Sequence, residues 1–456
     1  MIERLVLFGA TGDLAGRYLL PALAALQAAG ELPADFAVVG TARQKLDDAA
    51  FGRLAAERLA EHAADVPAPA RDALVSALRY RPADLADPAS VAPLLRDGAA
   101  PSDPLAAYLA LPPRLFPTTV DSLAAAGLPA GSRIAVEKPF GDDLASAVAL
   151  ERQLTRVVGE TDAATVFRVD HVLGMATVQN LPGLRFANPL LEAVWNGAHV
   201  ERIEILWEET LALEDRAGYY DAAGALKDVM QNHMLQVLAL LAMEPPATLG
   251  ARDLHERKLA LLRSLRPPRP DELAAKTRRA RYTAGPGVPA YADEPGVDPA
   301  RGTETLAEVT LTLDAPRWGG TPVVLRAGKA LAERRKEAVV RFRPPTQGPF
   351  AAHPAMRGAE LRIGLDGHED LRLHLTGSAL ATPPRPVPLT LCGPSPAAAL
   401  PAYANVLLDI LRGGSTLSVG AGESEAAWRI LTPVLEGWAE GRVPLEEYPA
   451  GSNGPG

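Results

Sequence analysis

The chain of 456 residues is too long for one hydrophobic core of ordinary size, so we expect two domains. Hydrophobic residues make up 48% of the chain and charged residues 22%, as in soluble globular proteins. The net charge of −9 and the lack of a concentrated basic patch argue against nucleic acid as the main ligand. The single cysteine, Cys392, excludes an internal disulfide and a cysteine metal cluster. We expect no signal peptide, no membrane span and a cytoplasmic location.

The N-terminal residues predict a strand, a glycine-rich turn and a helix. The hydrophobic run from Ile2 to Phe8 is typical of a buried strand, and Leu19 to Leu26 carries leucines at helical spacing. Glycine permits a tight turn, and a helix N-terminus binds pyrophosphate. We therefore predict a dinucleotide site at the turn, with the contact residues Gly9, Ala10, Thr11, Gly12, Asp13 and Leu14. The spacing departs from G-x-G-x-x-G, so a turn without a ligand stays an alternative.

A second predicted strand, Phe36 to Gly40, is followed by Arg43. In a mononucleotide-binding half this is where the adenosine ribose is bound, and an arginine there suits a 2′-phosphate. Arg43 therefore indicates NADP as the cofactor, with a plain surface arginine as the alternative.

Two later strands end in residues suited to a substrate crevice. The strand Arg133 to Val136 is followed by Glu137-Lys138-Pro139, and the strand Thr165 to Val169 is followed by Asp170-His171. In a doubly wound sheet the carboxyl ends of the strands face the ligand. An acid beside a histidine commonly orients or charges the imidazole. Lys138 could donate hydrogen bonds to a sugar hydroxyl, although an isolated lysine in a turn is more often only solvated.

A helix predicted from Gly224 to Met243 carries Asp228 and His233. His233 shares its helical face with hydrophobic residues and so points into a packed region. Such a histidine is usually structural, but the polar Gln231 and Asn232 beside it favour a function.

From Glu304 onward, strand patterns follow one another without helices between them, which indicates an antiparallel sheet. Helices predicted at Ala398 to Leu411 and Ser424 to Trp438 could cover one face of it. We therefore predict an α/β fold: residues 1–165 form a Rossmann-like NADP-binding domain, and residues 166–450 form an α+β domain with a large, mainly antiparallel sheet.

Seven motifs in order make the chain resemble the glucose-6-phosphate dehydrogenase family along almost its whole length. They are Gly9-Ala10-Thr11-Gly12-Asp13-Leu14-Ala15, Tyr108-Leu109-Ala110-Leu111-Pro112-Pro113, Glu137-Lys138-Pro139-Phe140-Gly141, Arg168-Val169-Asp170-His171, Gly218-Tyr219-Tyr220-Asp221, Asp228-Val229-Met230-Gln231-Asn232-His233 and Leu325-Arg326-Ala327-Gly328-Lys329. The resemblance implies oxidation of a hexose at C1 to the lactone with NADP, no metal, and a homodimer or a dimer of dimers built on the large sheet.

The resemblance also implies roles for single residues. His233 would be the general base for the C1 hydroxyl, and Asp170 would pair with it and hold its tautomer. Lys138 would contact both sugar and cofactor. The other implied contacts are Glu209, Asp228, Lys329 and His171 for the sugar phosphate and Thr11, Asp13 and Arg43 for the cofactor.

One motif departs from the family. Where the family continues His-Tyr-Leu-Gly-Lys to bind the 6-phosphate, this chain has His171, Val172 and Met175. Each lost charge-assisted bond is worth roughly 1.5–3 kcal/mol, unless Arg334 or Arg335 compensates. An unphosphorylated hexose such as glucose or an amino sugar is therefore an alternative substrate. A more general sugar oxidoreductase and a non-catalytic NADP-binding homologue are further alternatives.

Overall fold

The computed structural model describes residues 1–98, 100, 102–158, 166–213, 217–351, 353–354, 356–366, 371–394 and 398–455. The chain divides into two compact units. The first unit contains residues 1–175, 246–256 and 398–425, and the second unit contains residues 176–245, 257–397 and 426–456. The predicted domains were continuous stretches that met at residue 165. The structure instead places the first break after Met175 and returns the chain twice to the first unit.

The first unit is built on a seven-stranded sheet. Its strands are β1 (Arg4–Phe8), β2 (Ala37–Thr41), β3 (Leu78–Tyr80), β4 (Ala106–Leu109), β5 (Arg133–Glu137), β6 (Val166–Val169) and β16 (Ser418–Val419), in the order β16-β6-β5-β4-β1-β2-β3. All neighbours are parallel except β16, which runs antiparallel to β6. This confirms the predicted Rossmann-like sheet. Thr165, the predicted start of β6, lies outside the described residues.

Helices of the first unit cover this sheet. They are α1 (Leu20–Ala28), α2 (Asp48–His62), α3 (Ala68–Ser76), α4 (Pro88–Arg96), α5 (Phe116–Ala125), α6 (Leu144–Val158) and α13 (Ala402–Arg412). A π-helical turn, Ala15–Leu19, precedes α1, and the leucines predicted to share one stripe are all buried. The prediction that α13 covers the antiparallel sheet was wrong. Its apolar residues join the core cluster of the first unit, beside α1 and the turn His171–Gly174.

The second unit is built on a ten-stranded sheet. Its strands are β7 (Val200–Glu208), β8 (Leu265–Arg266), β9 (Thr277–Thr283), β10 (Leu306–Leu313), β11 (Thr321–Gly328), β12 (Arg335–Phe342), β13 (Glu360–Gly364), β14 (Leu371–Ala379), β15 (Arg385–Gly393) and β17 (Leu445–Pro449). The order is β15-β14-β13-β12-β7-β11-β10-β9-β17, with β8 beside β10. Only the β7–β11 and β9–β17 pairs are parallel, which confirms the predicted mainly antiparallel sheet.

The remaining helices are α7 (Ala176–Phe186), α8 (Pro189–Glu192), α9 (Ala217–Ala225), α10 (Leu235–Ala242), α11 (Ala251–Ser264), α12 (Leu273–Lys276) and α14 (Glu423–Ala439). The boundaries at Glu256 and Glu425 fall inside α11 and α14. The single helix predicted from Gly224 to Met243 is instead kinked at Gly224 and contains a π-helical segment, Leu226–Met234, between α9 and α10. No helix among the described residues is long and apolar enough to cross a membrane.

Candidate active site

The glycine-rich turn lies at the carboxyl end of β1 in the first unit. Gly9 has φ +79°, and a Cβ there would lie 2.1 Å from the carbonyl oxygen of Ala110. Both the backbone conformation and the close approach therefore require glycine. Ala10 is buried, whereas Gly12 and Asp13 are exposed at the start of the helical turn. This strand–turn–helix arrangement, with exposed residues at the helix N-terminus, fits the pyrophosphate of a dinucleotide.

Arg43 lies beside this turn because β2 is the parallel neighbour of β1. Phe8 and Thr41 are paired at the ends of the two strands, and the Thr41 carbonyl accepts hydrogen bonds from the N–H groups of Gly9 and Ala10. Arg43 follows two residues later and is exposed. Its position fits the ribose 2′-phosphate of NADP.

Lys138 follows β5 and is preceded by a buried carboxyl group. The Tyr108 hydroxyl donates a hydrogen bond of 2.5 Å to Glu137. Burial raises the pKa of Glu137 to about 7, although the Tyr108 hydrogen bond and the Lys138 ammonium oppose the rise. Glu137 therefore holds its proton more tightly than an ordinary glutamate does. The sequence placed Glu137 in a motif but did not identify it as a site residue.

Asp170 and His171 follow β6, the neighbour of β5. Asp170 is fully buried, and its carboxylate accepts a hydrogen bond of 3.2 Å from the N–H of Val172. The His171 ring stacks on Tyr403 with centroids 5.4 Å apart. Burial and the nearby carboxyls of Glu137 and Asp170 raise the pKa of Tyr403. Tyr403 lies on α13, more than two hundred residues away in sequence, and no local pattern could have identified it.

Val172 and Met175 occupy different environments in the turn that follows. Val172 is fully buried, and Met175 is half-buried at the end of the turn His171–Gly174. The turn is held to α13, because the Asn405 side chain donates to the Gly174 carbonyl at 2.9 Å. Neither position offers the donor that the resemblance implies for a phosphate.

In the second unit, His233 is 4% exposed and lies on the π-helical segment. Its ring stacks on Trp207 of β7 with centroids 5.6 Å apart and an interplanar angle of 23°. Asp228, one turn earlier, is half-buried. Such π-helical turns occur often at functional sites.

Three strand ends bring a carboxylate and two ammonium groups together in the second unit. Glu209 follows β7, Lys329 follows β11 and Lys336 lies at the start of β12. The Glu209 carboxylate binds Lys329 at 2.6 Å and Lys336 at 2.8 Å. Burial alone would raise the pKa of Glu209, but the two lysines lower it to about 2. Glu209 is therefore a fixed anion between two cations.

Lys336 was not among the predicted site residues. Its ammonium lies 4.8 Å from the centroid of Trp207, the ring on which His233 stacks. Lys336 belongs to none of the motifs that the sequence identified. Arg334, by contrast, was a candidate for binding phosphate. Its side chain is 54% exposed and forms an ion pair with Asp366.

Comparisons with known proteins match two family models that follow one another along the chain. Residues 6–180 match the family model "Glucose-6-phosphate dehydrogenase, NAD binding domain", and residues 183–456 match "Glucose-6-phosphate dehydrogenase, C-terminal domain". The chain is 38% identical to a glucose-6-phosphate 1-dehydrogenase of Gluconobacter oxydans, over 99% of this chain and 94% of that relative.

Two solved structures are similar along the full length. The crystal structure of glucose-6-phosphate 1-dehydrogenase from Mycobacterium avium has a TM-score of 0.85 and 32% identity, and covers 100% of this chain and 96% of that one. A glucose-6-phosphate dehydrogenase in complex with its substrate glucose-6-phosphate has a TM-score of 0.89 and 28% identity, with the same coverage. The chain belongs to the glucose-6-phosphate dehydrogenase family.

Proposed function

We propose that the protein is an NADP-dependent glucose-6-phosphate 1-dehydrogenase that oxidises the sugar at C1 to the lactone. The observation that carries this proposal is the environment of His233, which is buried on a π-helical turn and stacked on Trp207, in a chain that matches both family models. A buried imidazole held by stacking has the fixed orientation that a general base needs.

In this proposal His233 accepts the proton of the C1 hydroxyl, and Asp170 is its acidic partner, which stabilises the imidazolium. Lys138 donates to the sugar and to the cofactor. Asp228 and Glu209 accept from sugar hydroxyls, and Lys329, which pairs with Glu209, donates to the sugar. His171 takes part in binding the 6-phosphate.

The cofactor is proposed to bind at the turn of the first unit. Bound NADP would accept the hydride that leaves C1. Gly9 and Gly12 permit the tight turn, the Thr11 to Leu14 segment would receive the pyrophosphate, and Arg43 would bind the 2′-phosphate. NADP is preferred over NAD on the strength of Arg43 and its place beside the turn.

The test is steady-state formation of reduced cofactor by the purified protein. Glucose 6-phosphate and glucose are each assayed with NADP and with NAD, and galactose and glucosamine extend the panel. We expect the highest kcat/KM with glucose 6-phosphate and NADP. The absence of reduced cofactor with every sugar would refute the proposal and favour the non-catalytic homologue.

A second candidate is oxidation of an unphosphorylated hexose, and Val172 and Met175 favour it. Both side chains are apolar where the family has a tyrosine and a lysine, and Val172 is fully buried. Arg334 is paired with Asp366, so its charge is already partly compensated. A kcat/KM for glucose above that for glucose 6-phosphate would establish this reading.

We also propose a homodimer or a dimer of dimers, and a cytoplasmic location, which is typical of the family. Support for the dimer comes from the hairpin β14–β15 at the end of the large sheet. Val387, Leu389 and Leu391 lie on one face and are 37%, 45% and 52% exposed. Pro386 and Pro388 lie in the terminal strand, and proline lacks the N–H needed for edge pairing. A second copy would therefore pack on the apolar face and not along the edge.

A further inference from the structure

Two residues just before β10, Glu304 and Thr305, contact the main chain of both segments that carry the proposed sugar-binding residues of the second unit. Glu304 is 7% exposed and Thr305 is fully buried. Neither residue belongs to a motif that the sequence identified. Both residues bind backbone groups of other segments, so they act on the position of those segments.

The Glu304 contacts lie at the start of the helical segment that carries Asp228 and His233. Its carboxylate accepts a hydrogen bond of 3.1 Å from the N–H of Leu226, and its carbonyl accepts one of 3.2 Å from Ala225. Leu226 is the first residue of the π-helical segment. A helix N-terminus leaves its first N–H groups without helical partners, and an acceptor there stabilises both the end and its direction.

Gly224 makes this contact possible. It has φ +69° and ψ 172°, and a Cβ there would lie 2.4 Å from one carboxylate oxygen of Glu304 and 2.8 Å from the other. The kink at Gly224 and the Glu304 side chain therefore fit each other closely. The kink redirects the chain from α9 into the segment that carries His233.

Thr305 fixes the main chain of Lys329. The N–H of Lys329 donates to the Thr305 carbonyl at 3.0 Å. The Tyr448 hydroxyl donates to the Lys329 carbonyl at 2.7 Å and lies 2.9 Å from the Thr305 hydroxyl. The N–H of Lys329 is thus held directly by the short segment that also holds the helix, and its carbonyl is held through Tyr448.

We propose that Glu304 is a positioning residue for the reaction, which sets the helix carrying Asp228 and His233 in register with Lys329. This inference rests on the proposed function of those three residues. Such positioning matters for the rate, because a displacement of about 1 Å at a reacting group can reduce the rate by roughly a hundred-fold.

The contact does not require a permanent charge on Glu304. Burial raises its pKa to about 7, against the hydrogen bond from Leu226 and the nearby charges of Arg279 and Lys227. The other titratable groups that face it are the hydroxyls of Tyr220 and Tyr291. An amide oxygen at the same place accepts the same N–H bond, so glutamine should replace Glu304 where alanine cannot.

The experiment compares Glu304→Ala, Glu304→Gln and the control Glu308→Gln. Glu308 lies on β10, four residues after Glu304, and pairs with Arg326 at 3.0 Å, so its variant removes a nearby carboxylate that does not bind the helix. Hydrogen–deuterium exchange of the Leu226–Met234 amides is measured together with kcat, the KM for glucose 6-phosphate and the NADP dissociation constant.

We expect Glu304→Ala to accelerate exchange at those amides and to lower kcat by at least about tenfold, with NADP binding within about twofold of wild type. Glu304→Gln and Glu308→Gln should match wild type in exchange and kcat. Unchanged exchange and unchanged kcat in Glu304→Ala would overturn the inference.

Two further outcomes distinguish unfolding of the variant from failure of the proposed function. If Glu304→Ala unfolds and loses NADP binding, Glu304→Asp is measured instead. The aspartate side chain is one methylene shorter, so its carboxylate should lose the hydrogen bond from the Leu226 N–H. Amide exchange at the wild-type rate in Glu304→Asp would overturn the inference. Should wild type and Glu308→Gln both lack activity on every hexose, the proposed function fails. The exchange data then decide whether Glu304 orders the helix.

Discussion

At the scale of single residues, Glu137 and Glu209 are carboxyl groups whose environments shift their pKa in opposite directions. Burial raises the pKa of Glu137 to about 7, whereas two lysines outweigh burial and lower that of Glu209 to about 2. Folding therefore strengthens proton binding at Glu137 and weakens it at Glu209. The stability that each contributes must change with pH in opposite senses.

For Glu137 the folded-state pKa lies above the ordinary 4.5. The stability that it contributes is full below pH 4.5 and is lost as the pH rises through 7. We predict that Glu137→Gln gains on the order of 3 kcal/mol of unfolding free energy relative to wild type between pH 4.5 and 8. Glu209→Gln should show the reverse, with a loss relative to wild type that disappears as the pH falls from 4.5 toward 2. Urea unfolding across this pH range measures both, and parallel curves for the variants and wild type would show that neither shift exists.

We expect substrate choice to depend on position 175. Because it is half-buried at the end of its turn, a lysine there can extend its ammonium toward solvent, whereas Val172 has no room for a larger side chain. We predict that Met175→Lys raises kcat/KM for glucose 6-phosphate by about tenfold or more, because a charge-assisted bond to a phosphate is worth roughly 1.5–3 kcal/mol. The control Met175→Leu should change nothing, and kcat/KM for glucose should stay constant in both variants. An equal gain with glucose would show that position 175 does not distinguish the phosphate.

At the scale of elements, the kinked helix of the second unit depends on Gly224. A methyl group there would collide with Glu304 and would strain a backbone with φ +69°. We predict that Gly224→Ala lowers the unfolding free energy by about 2 kcal/mol or more. Gly218→Ala is the matched control on the same helix, because its Cβ would meet only a carbonyl oxygen at 3.8 Å. Thermal or urea unfolding compares the two, and equal stability of both variants would count against the role of the kink.

The kinked helix also shows which features the spacing of apolar residues cannot predict. Apolar spacing correctly indicated a buried helix that carries His233, because burial follows from the pattern of side chains. The same pattern cannot show that Leu226–Met234 is π-helical or that a carboxylate from residue 304 caps it. That information lies in a contact between residues nearly eighty positions apart.

At the scale of the whole molecule, the exposed face of β14–β15 predicts the oligomeric state. We predict that Leu389→Glu converts a homodimer into a monomer, because it places a charge in the middle of the apolar face. Thr390→Glu is the control, since Thr390 is the next residue and points to the opposite face. Light scattering after size exclusion measures the mass. A Leu389→Glu protein that keeps the dimer mass would place the interface elsewhere.

Most of the fold and part of the site could be predicted from the sequence. The two sheets and the residues at their strand ends follow from hydrophobic runs and local motifs, so Lys138, Asp170 and Lys329 were found where β5, β6 and β11 end. Tyr403 and Lys336 could not be found. Tyr403 reaches its neighbours only because α13 returns to the first unit, and Lys336 meets Glu209 only through the pairing of β12 with β7. The departure in the domain boundaries has the same cause, since segments 246–256 and 398–425 rejoin the first unit through tertiary packing.

The proposed mechanism depends on His233 removing the proton from the C1 hydroxyl. The most direct test is kcat of His233→Asn with glucose 6-phosphate and NADP, together with the dissociation constants of both ligands. We expect kcat to fall by roughly 10²–10⁴-fold, because that is the usual contribution of a general base. Both ligands should bind to the variant nearly as well as to wild type. A variant that keeps kcat within about threefold of wild type would contradict it.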